Sequence, residues 1–228
     1  MSSLISDLKN KHWLWQASQH TRSIGDKLPT GLSDLDDALN GGFPNRGVVR
    51  INSTMGIGEW LLCTPVIQQR QQDQRQLFII AAPMTVNSAM LIEQGIPLER
   101  TFFIQVKTRD EALWACEQCL SSGVAHSVLL WHEQLSIGQA KRLEVAAEQG
   151  DSLLMLFQYQ QYSQPLPISL SMSLNRQQHS LLVSIDKQRG GWPVTSIRVE
   201  HGLASVQQRH NLSNTQTHNN VVALHAQR

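Results

Sequence analysis

Charge is scarce in these 228 residues. Asp, Glu, Lys and Arg make up 16% of the chain, and 19 basic against 18 acidic side chains leave a net charge of +1. A protein that holds nucleic acid by electrostatics carries a large basic excess, so stand-alone DNA binding is disfavoured. Cysteine is scarce too: three thiols cannot build a disulfide framework, which points to a reducing compartment. No stretch approaches the ~20 apolar residues of a membrane span. The amino end carries Asp7, Lys9 and Lys11 and lacks the apolar segment and cleavage site of a signal peptide. These absences predict a cytoplasmic chain with no membrane contact. Glutamine, present 25 times, supplies the surface polarity that charge does not. With 41% hydrophobic residues, the length suits one generous domain with appendages.

Three regions follow from the pattern along the chain. Residues 1–27 read as an N-terminal amphipathic helix carrying Trp13 and Trp15, with a polar linker from Gln19 to Lys27. Residues 28–206 read as the main domain. It starts with Leu32, Leu35 and Leu39 on one helical face, ended by Gly41-Gly42-Phe43-Pro44. From Gly47 onward β and α signals alternate, with strands at 48–51, 77–82, 101–106, 127–131 and 152–158 and helices at 59–72, 86–94, 109–122 and 136–149. The unbroken apolar run Leu77–Ala82 suits a strand buried on both faces of a parallel sheet. After Pro167 the segments 168–174, 180–185 and 194–199 read as antiparallel strands. Residues 207–228 are rich in Gln, Asn and His and read as a disordered tail with one apolar segment, Val221 to Leu224.

The loop after the first core strand is where a phosphate-binding loop would sit, because backbone amides at a helix N-terminus can cradle phosphate. A Walker A motif has Gly, four residues, Gly, Lys and then Ser or Thr. This chain has Ser53, four residues including Gly56, then Gly58, Glu59 and Trp60. Glu59 puts a negative charge where a cation should meet phosphate, turning an attraction of ~4 kcal/mol at ~4 Å into repulsion. Trp60 cannot ligate magnesium. A second acid is also missing from the tip of the strand at 127–131, since Trp131-His132 precede Glu133, which reads as a first-turn helix acid. No cofactor, no metal and no ATPase activity are expected, and no catalytic residue can be named.

Leu28-Pro29-Thr30-Gly31-Leu32-Ser33-Asp34-Leu35-Asp36, then Leu39-Asn40-Gly41-Gly42-Phe43-Pro44, the strand Val48–Ile51 and the loop Met55–Glu59 together resemble the RecA-like superfamily, and within it the ImuA family with its shorter relative SulA. The TG-x-x-x-LD pattern over Thr30–Asp36 is the lead-in to the core in RecA-like proteins, and the likeness covers roughly residues 28–200. The stretch 53–160 also looks like the SulA body, but SulA proteins are shorter and lack the TG-x-x-x-LD segment, which favours ImuA. The resemblance implies an α/β fold: a RecA-like core with a mainly parallel sheet flanked by helices and antiparallel strands at its C-terminal edge. It further implies a non-catalytic accessory protein of the SOS response that supports error-prone translesion synthesis. Its partners would be an ImuB-like polymerase homologue, a DnaE2-type polymerase and RecA, with self-association and at most weak or indirect DNA contact. The alternative it carries is a SulA-type division inhibitor that binds FtsZ. A nucleotide-dependent RecA-type ATPase is disfavoured by Glu59 and Trp60.

Several features have plainer readings. Cys116 and Cys119 have CxxC spacing, but with Cys63 as the remaining thiol they read as buried core residues rather than a zinc site. The histidines after residue 200 read as solvated tail residues. Gln76-Leu77-Phe78 has a faint sliding-clamp flavour but falls in a core strand. Partner contacts are therefore assigned to the ends of the chain: Trp13 and Trp15 at one, Val221, Val222 and Leu224 at the other.

Overall fold

The computed structural model describes residues 27–159, 164–177, 180–200 and 221–223. The expected N-terminal helix with Trp13 and Trp15 lies outside the described residues. The lead-in is a short antiparallel pair, β1 (Lys27–Leu28) with β2 (Phe43–Pro44), enclosing helix α1 (Ser33–Ala38). The TG-x-x-x-LD pattern has a direct physical cause. Asp36 Oδ1 accepts from both the amide and the hydroxyl of Thr30, each at 2.7 Å, and Asp36 Oδ2 accepts from the Gly31 amide at 3.1 Å. Gly31 turns the chain at φ +80°, and Leu35 is then delivered fully buried into the core, with Leu39. Leu32, expected to be buried with them, is only half-buried because it sits outside the helix at its N-cap. Gly42 is demanded by close approach: a Cβ there would lie 2.1 Å from the Leu28 carbonyl oxygen.

The main sheet begins with β3 (Gly47–Asn52), buried at every position. There follow α2 (Glu59–Arg70), β4 (Gln76–Ile80), α3 (Ser88–Glu93), β5 (Thr101–Gln105), α4 (Arg109–Ser121), β6 (Ala125–Trp131), α5 (Ile137–Gln149) and β7 (Leu153–Gln158). Three of the helices start where a side chain can satisfy the free amides. Thr108 with Glu111 and Ser136 with Gln139 form capping boxes on α4 and α5, and Asn87 caps α3. The chain closes with β8 (Leu170–Gln177), β9 (Ser180–Gln188), β10 (Val194–Glu200) and β11 (Val221–Ala223).

The nine strands run in the order β10-β9-β8-β3-β7-β6-β4-β5-β11. Pairings from β8 through β3 to β11 are parallel, while β8–β9 and β9–β10 are antiparallel. This is the expected mainly parallel α/β sheet flanked by helices, with antiparallel strands at one edge. The alternation along each strand feeds two cores. Val49, Ile51, Leu129 and Met155 pack with α2 and with Leu35 and Leu39. Val48, Val128, Leu130 and Leu154 pack with α4 and α5. Within the stretch expected to be a disordered tail, Val221–Ala223 instead lie as a strand beside β5, because an edge strand offers unpaired amides and carbonyls that an apolar extended segment can satisfy.

Candidate functional site

Because β3 to β7 are parallel, their loops gather at one end, the carboxyl edge, where α/β sheets place ligands. The loop 53–58 leaves β3 there, tied to the sheet by the Ser53 amide donating to the Gln158 carbonyl at 3.0 Å. It turns through Gly56 at φ +77° and Gly58 at φ +119° into the first turn of α2. Two amides of the loop leading into that turn are occupied. The Glu59 carboxylate folds back and accepts from the Gly56 amide at 2.9 Å and the Gly58 amide at 3.1 Å. Glu59 is only 8% exposed, so an internal anion sits where an outside phosphate would have to enter. The sequence suggested mere repulsion; the geometry adds physical occupancy of the donors.

Trp60 points elsewhere. Its indole N–H donates to the Gln94 side-chain oxygen, which also accepts from the Thr64 hydroxyl at 3.0 Å. This ties α2 to the end of α3, and position 60 brings no hydroxyl to the loop. Ser53 is buried, and its hydroxyl has no partner among the described residues. Glu59 also acts on the core beneath it: burial first, and its charge second, push the Cys63 thiol far up.

Glu133 is not a helix acid. Helix α5 starts four residues later at Ile137 under its Ser136 cap, and Glu133 lies in the exposed loop after β6. There it forms an ion pair with Arg109 at 2.5 Å, both side chains being more than half exposed. Capping competition decides this: Ser136 with Gln139 satisfies the helix amides better than an upstream carboxylate can. Glu133 is thus directed toward α4 and its Arg109, not supplied as a second acid for the β3 loop.

Beside this loop a cleft of about 410 Å3 opens over the ends of β4 to β7, walled by Ala81, Pro83, Trp131, Phe157 and Tyr159. Trp131 stacks on Phe157 with centroids 4.7 Å apart and planes 15° apart, and its indole donates to the Tyr159 hydroxyl at 2.6 Å. Burial pushes the Tyr159 phenol up to about 12. Lys107, Arg109 and His132 stand at the rim. Burial, and then Arg109, hold His132 below its ordinary value, so it is neutral near pH 7. The cleft has an aromatic wall and a polar rim.

Among the described residues, no group of three His, Cys, Asp or Glu side chains could hold a metal ion. Cys63 and Cys116 are fully buried as expected, whereas Cys119 is half-buried, with burial raising its thiol to about 11. No helix among the described residues is long and apolar enough to cross a membrane. Of the terminal partner-binding candidates, Val221 and Val222 belong to β11, while Trp13, Trp15 and Leu224 lie outside the described residues. The roles of Gln94 and Asp36 were not visible in the sequence as site chemistry. Asp36 did belong to the motif; Gln94 carried no signal, being one glutamine among many.

Residues 48–154 match the family model for the cell division inhibitor SulA. The stretch runs from β3 into β7 and so contains the Glu59 loop and most of the cleft. The chain is 32% identical over 93 residues to the cell division inhibitor SulA of Pseudomonas aeruginosa, covering 40% of this chain and 58% of that protein. To RecA of Bartonella quintana it is 30% identical over 129 residues, 56% of this chain and 36% of that protein. The crystal structure of SulA from Pseudomonas aeruginosa aligns with 49% of this chain and 98% of that one, at 28% identity and a TM-score of 0.42. The chain thus spans about three fifths of the SulA relative and about a third of the RecA relative. It is related in sequence to both SulA and RecA.

Proposed function

We propose that this chain is a non-catalytic, RecA-like adaptor of the SOS response that works through protein–protein contacts. The carrying observation is the Glu59 carboxylate seated on the Gly56 and Gly58 amides. A tethered anion that takes two of the loop's amides competes directly with an incoming phosphate, and Trp60 supplies no metal-binding hydroxyl. With nucleotide chemistry set aside, what remains is surface. The finer reading is an ImuA-type accessory role in error-prone translesion synthesis, with an ImuB-like polymerase homologue and a DnaE2-type polymerase as partners. It is favoured by the Thr30–Asp36 lead-in and by β8–β10, which extend beyond the SulA-matching stretch at both ends.

A second reading, division inhibition by binding FtsZ, is favoured by the match over residues 48–154. Titration calorimetry of the full chain with ATP and magnesium tests the shared premise: no binding heat is expected, and micromolar affinity would refute it. Co-purification with the two polymerase components separates the readings, because the adaptor retains them. Filamentation of cells on overexpression, without such retention, would select the division inhibitor instead.

A further inference from the structure

The carboxylate of Glu59 is held in the way a receptor holds an anion. Its two oxygens are divided between two backbone donors, Oε1 on the Gly56 amide at 2.9 Å and Oε2 on the Gly58 amide at 3.1 Å. Both glycines stand at positive φ, a backbone arrangement that forms anion-binding concavities. Glu59 opens the 12-residue helix α2, where the helix dipole favours negative charge, and its side chain is buried. In the same loop the Ser53 hydroxyl, on a residue only 9% exposed, has no partner among the described residues. The loop thus holds one more polar group than the carboxylate satisfies.

A free anion leaves such a site at a rate set by its affinity, whereas a tethered one is held at an effective concentration of roughly millimolar or above. The loop therefore has its shape without any ligand from outside. That shape is passed on along α2. Trp60 gives its indole N–H to the Gln94 side-chain oxygen, Thr64 gives its hydroxyl to the same oxygen, and the Gln68 side-chain amide donates to the Gln94 carbonyl. The start of α2 is in this way joined to the end of α3. Met55, exposed in the loop beside Gly56, is the large apolar group whose place this arrangement sets.

We propose that Glu59 is a built-in ligand of the β3 loop: a positioning residue whose carboxylate keeps the loop and the start of α2 in the anion-loaded shape at all times, so that the loop's surface is set with no ligand to switch it. This inference rests on the reading of the loop as holding its own anion, and adds that the filled state is the permanent one.

Glu59→Ala deletes a fragment the size of acetate, so acetate is the probe. In plain buffer the variant should melt about 5 °C or more below wild type, because two charge-assisted hydrogen bonds are lost. Acetate at about 100 mM should restore about 3 °C or more of this beyond its effect on wild type, and chloride at the same ionic strength should restore none. Glu59→Gln fills the space and keeps an acceptor oxygen, so acetate should not act on it beyond its effect on wild type. Amide exchange read by NMR gives the local answer. The Gly56 and Gly58 amides should exchange slowly in wild type with no anion added, about tenfold faster or more in Glu59→Ala, and slowly again when acetate is supplied. If Glu59→Ala does not fold in plain buffer, recovery of its circular dichroism in acetate is the same rescue. The proposal is overturned if Glu59→Ala melts with wild type, if acetate acts on all three chains alike, or if Glu59→Ala stays unfolded or unprotected in acetate. ATP binding by the wild-type chain would instead refute the reading on which the proposal rests.

Discussion

Glu144 is the side chain whose loss should cost this fold most for its size. It projects from α5 with 4% exposure and accepts four hydrogen bonds: from the Val48 amide at 2.9 Å, the Ser169 amide at 3.1 Å, the Ser169 hydroxyl, and Arg189 at 2.9 Å. It thereby joins α5 to the start of the central strand β3 and to the segment before β8. Glu144→Ala orphans two buried amides, at about 1–3 kcal/mol each. The Arg189 contact adds under ~1 kcal/mol, because that guanidinium is half exposed and screened. The expected loss is about 3–5 kcal/mol, a large share of a typical domain's stability. Glu144→Gln keeps an acceptor oxygen and should lose less than half as much. Urea unfolding measures this as a lower midpoint at unchanged slope. A double-mutant cycle with Ser169→Ala should show a coupling above ~1 kcal/mol. An alanine variant within ~1 kcal/mol of wild type would refute the account, since it would mean the two amides find other partners.

Leu35→Ala, at a fully buried position under the lead-in, should cost about 2–5 kcal/mol, read as a lowered melting temperature; an unchanged melting curve would contradict the packing. His126 is 1% exposed, and burial above all brings its folded-state value down to about 4. The unfolded chain, with an ordinary value near 6.5, therefore takes up a proton first as pH falls. Stability should be full above pH ~6.5 and drop by of order 3 kcal/mol between pH ~6.5 and ~4, a slope that His126→Asn should flatten in denaturation at stepped pH. Glu59→Lys with Trp60→Thr should not yield ATP hydrolysis, because the strand tip Trp131-His132 offers no second acid and Glu133 is paired with Arg109; phosphate release above background would refute this.

Local chemistry in the sequence determined the α/β alternation, because hydrophobic period and caps such as Thr108, Asn87 and Ser136 act within a few residues. It also determined that Glu59 and Trp60 stand where a Walker A motif has its lysine and its metal-binding hydroxyl, since those are facts of residue type. Strand order was another matter. That β8 returns beside β3 and β11 beside β5 depends on pairings between segments more than a hundred residues apart, which no local pattern encodes. The same holds at the site. Glu59 could be read as a wrong charge, but only the turn made by Gly56 and Gly58 decides that its carboxylate fills the loop's own amides. Glu133 shows the converse: its place before a helix suggested a first-turn helix acid, but the helix starts four residues later and Glu133 pairs with Arg109 on α4. Residue type fixes what a group can do, whereas the fold fixes which partner reaches it first.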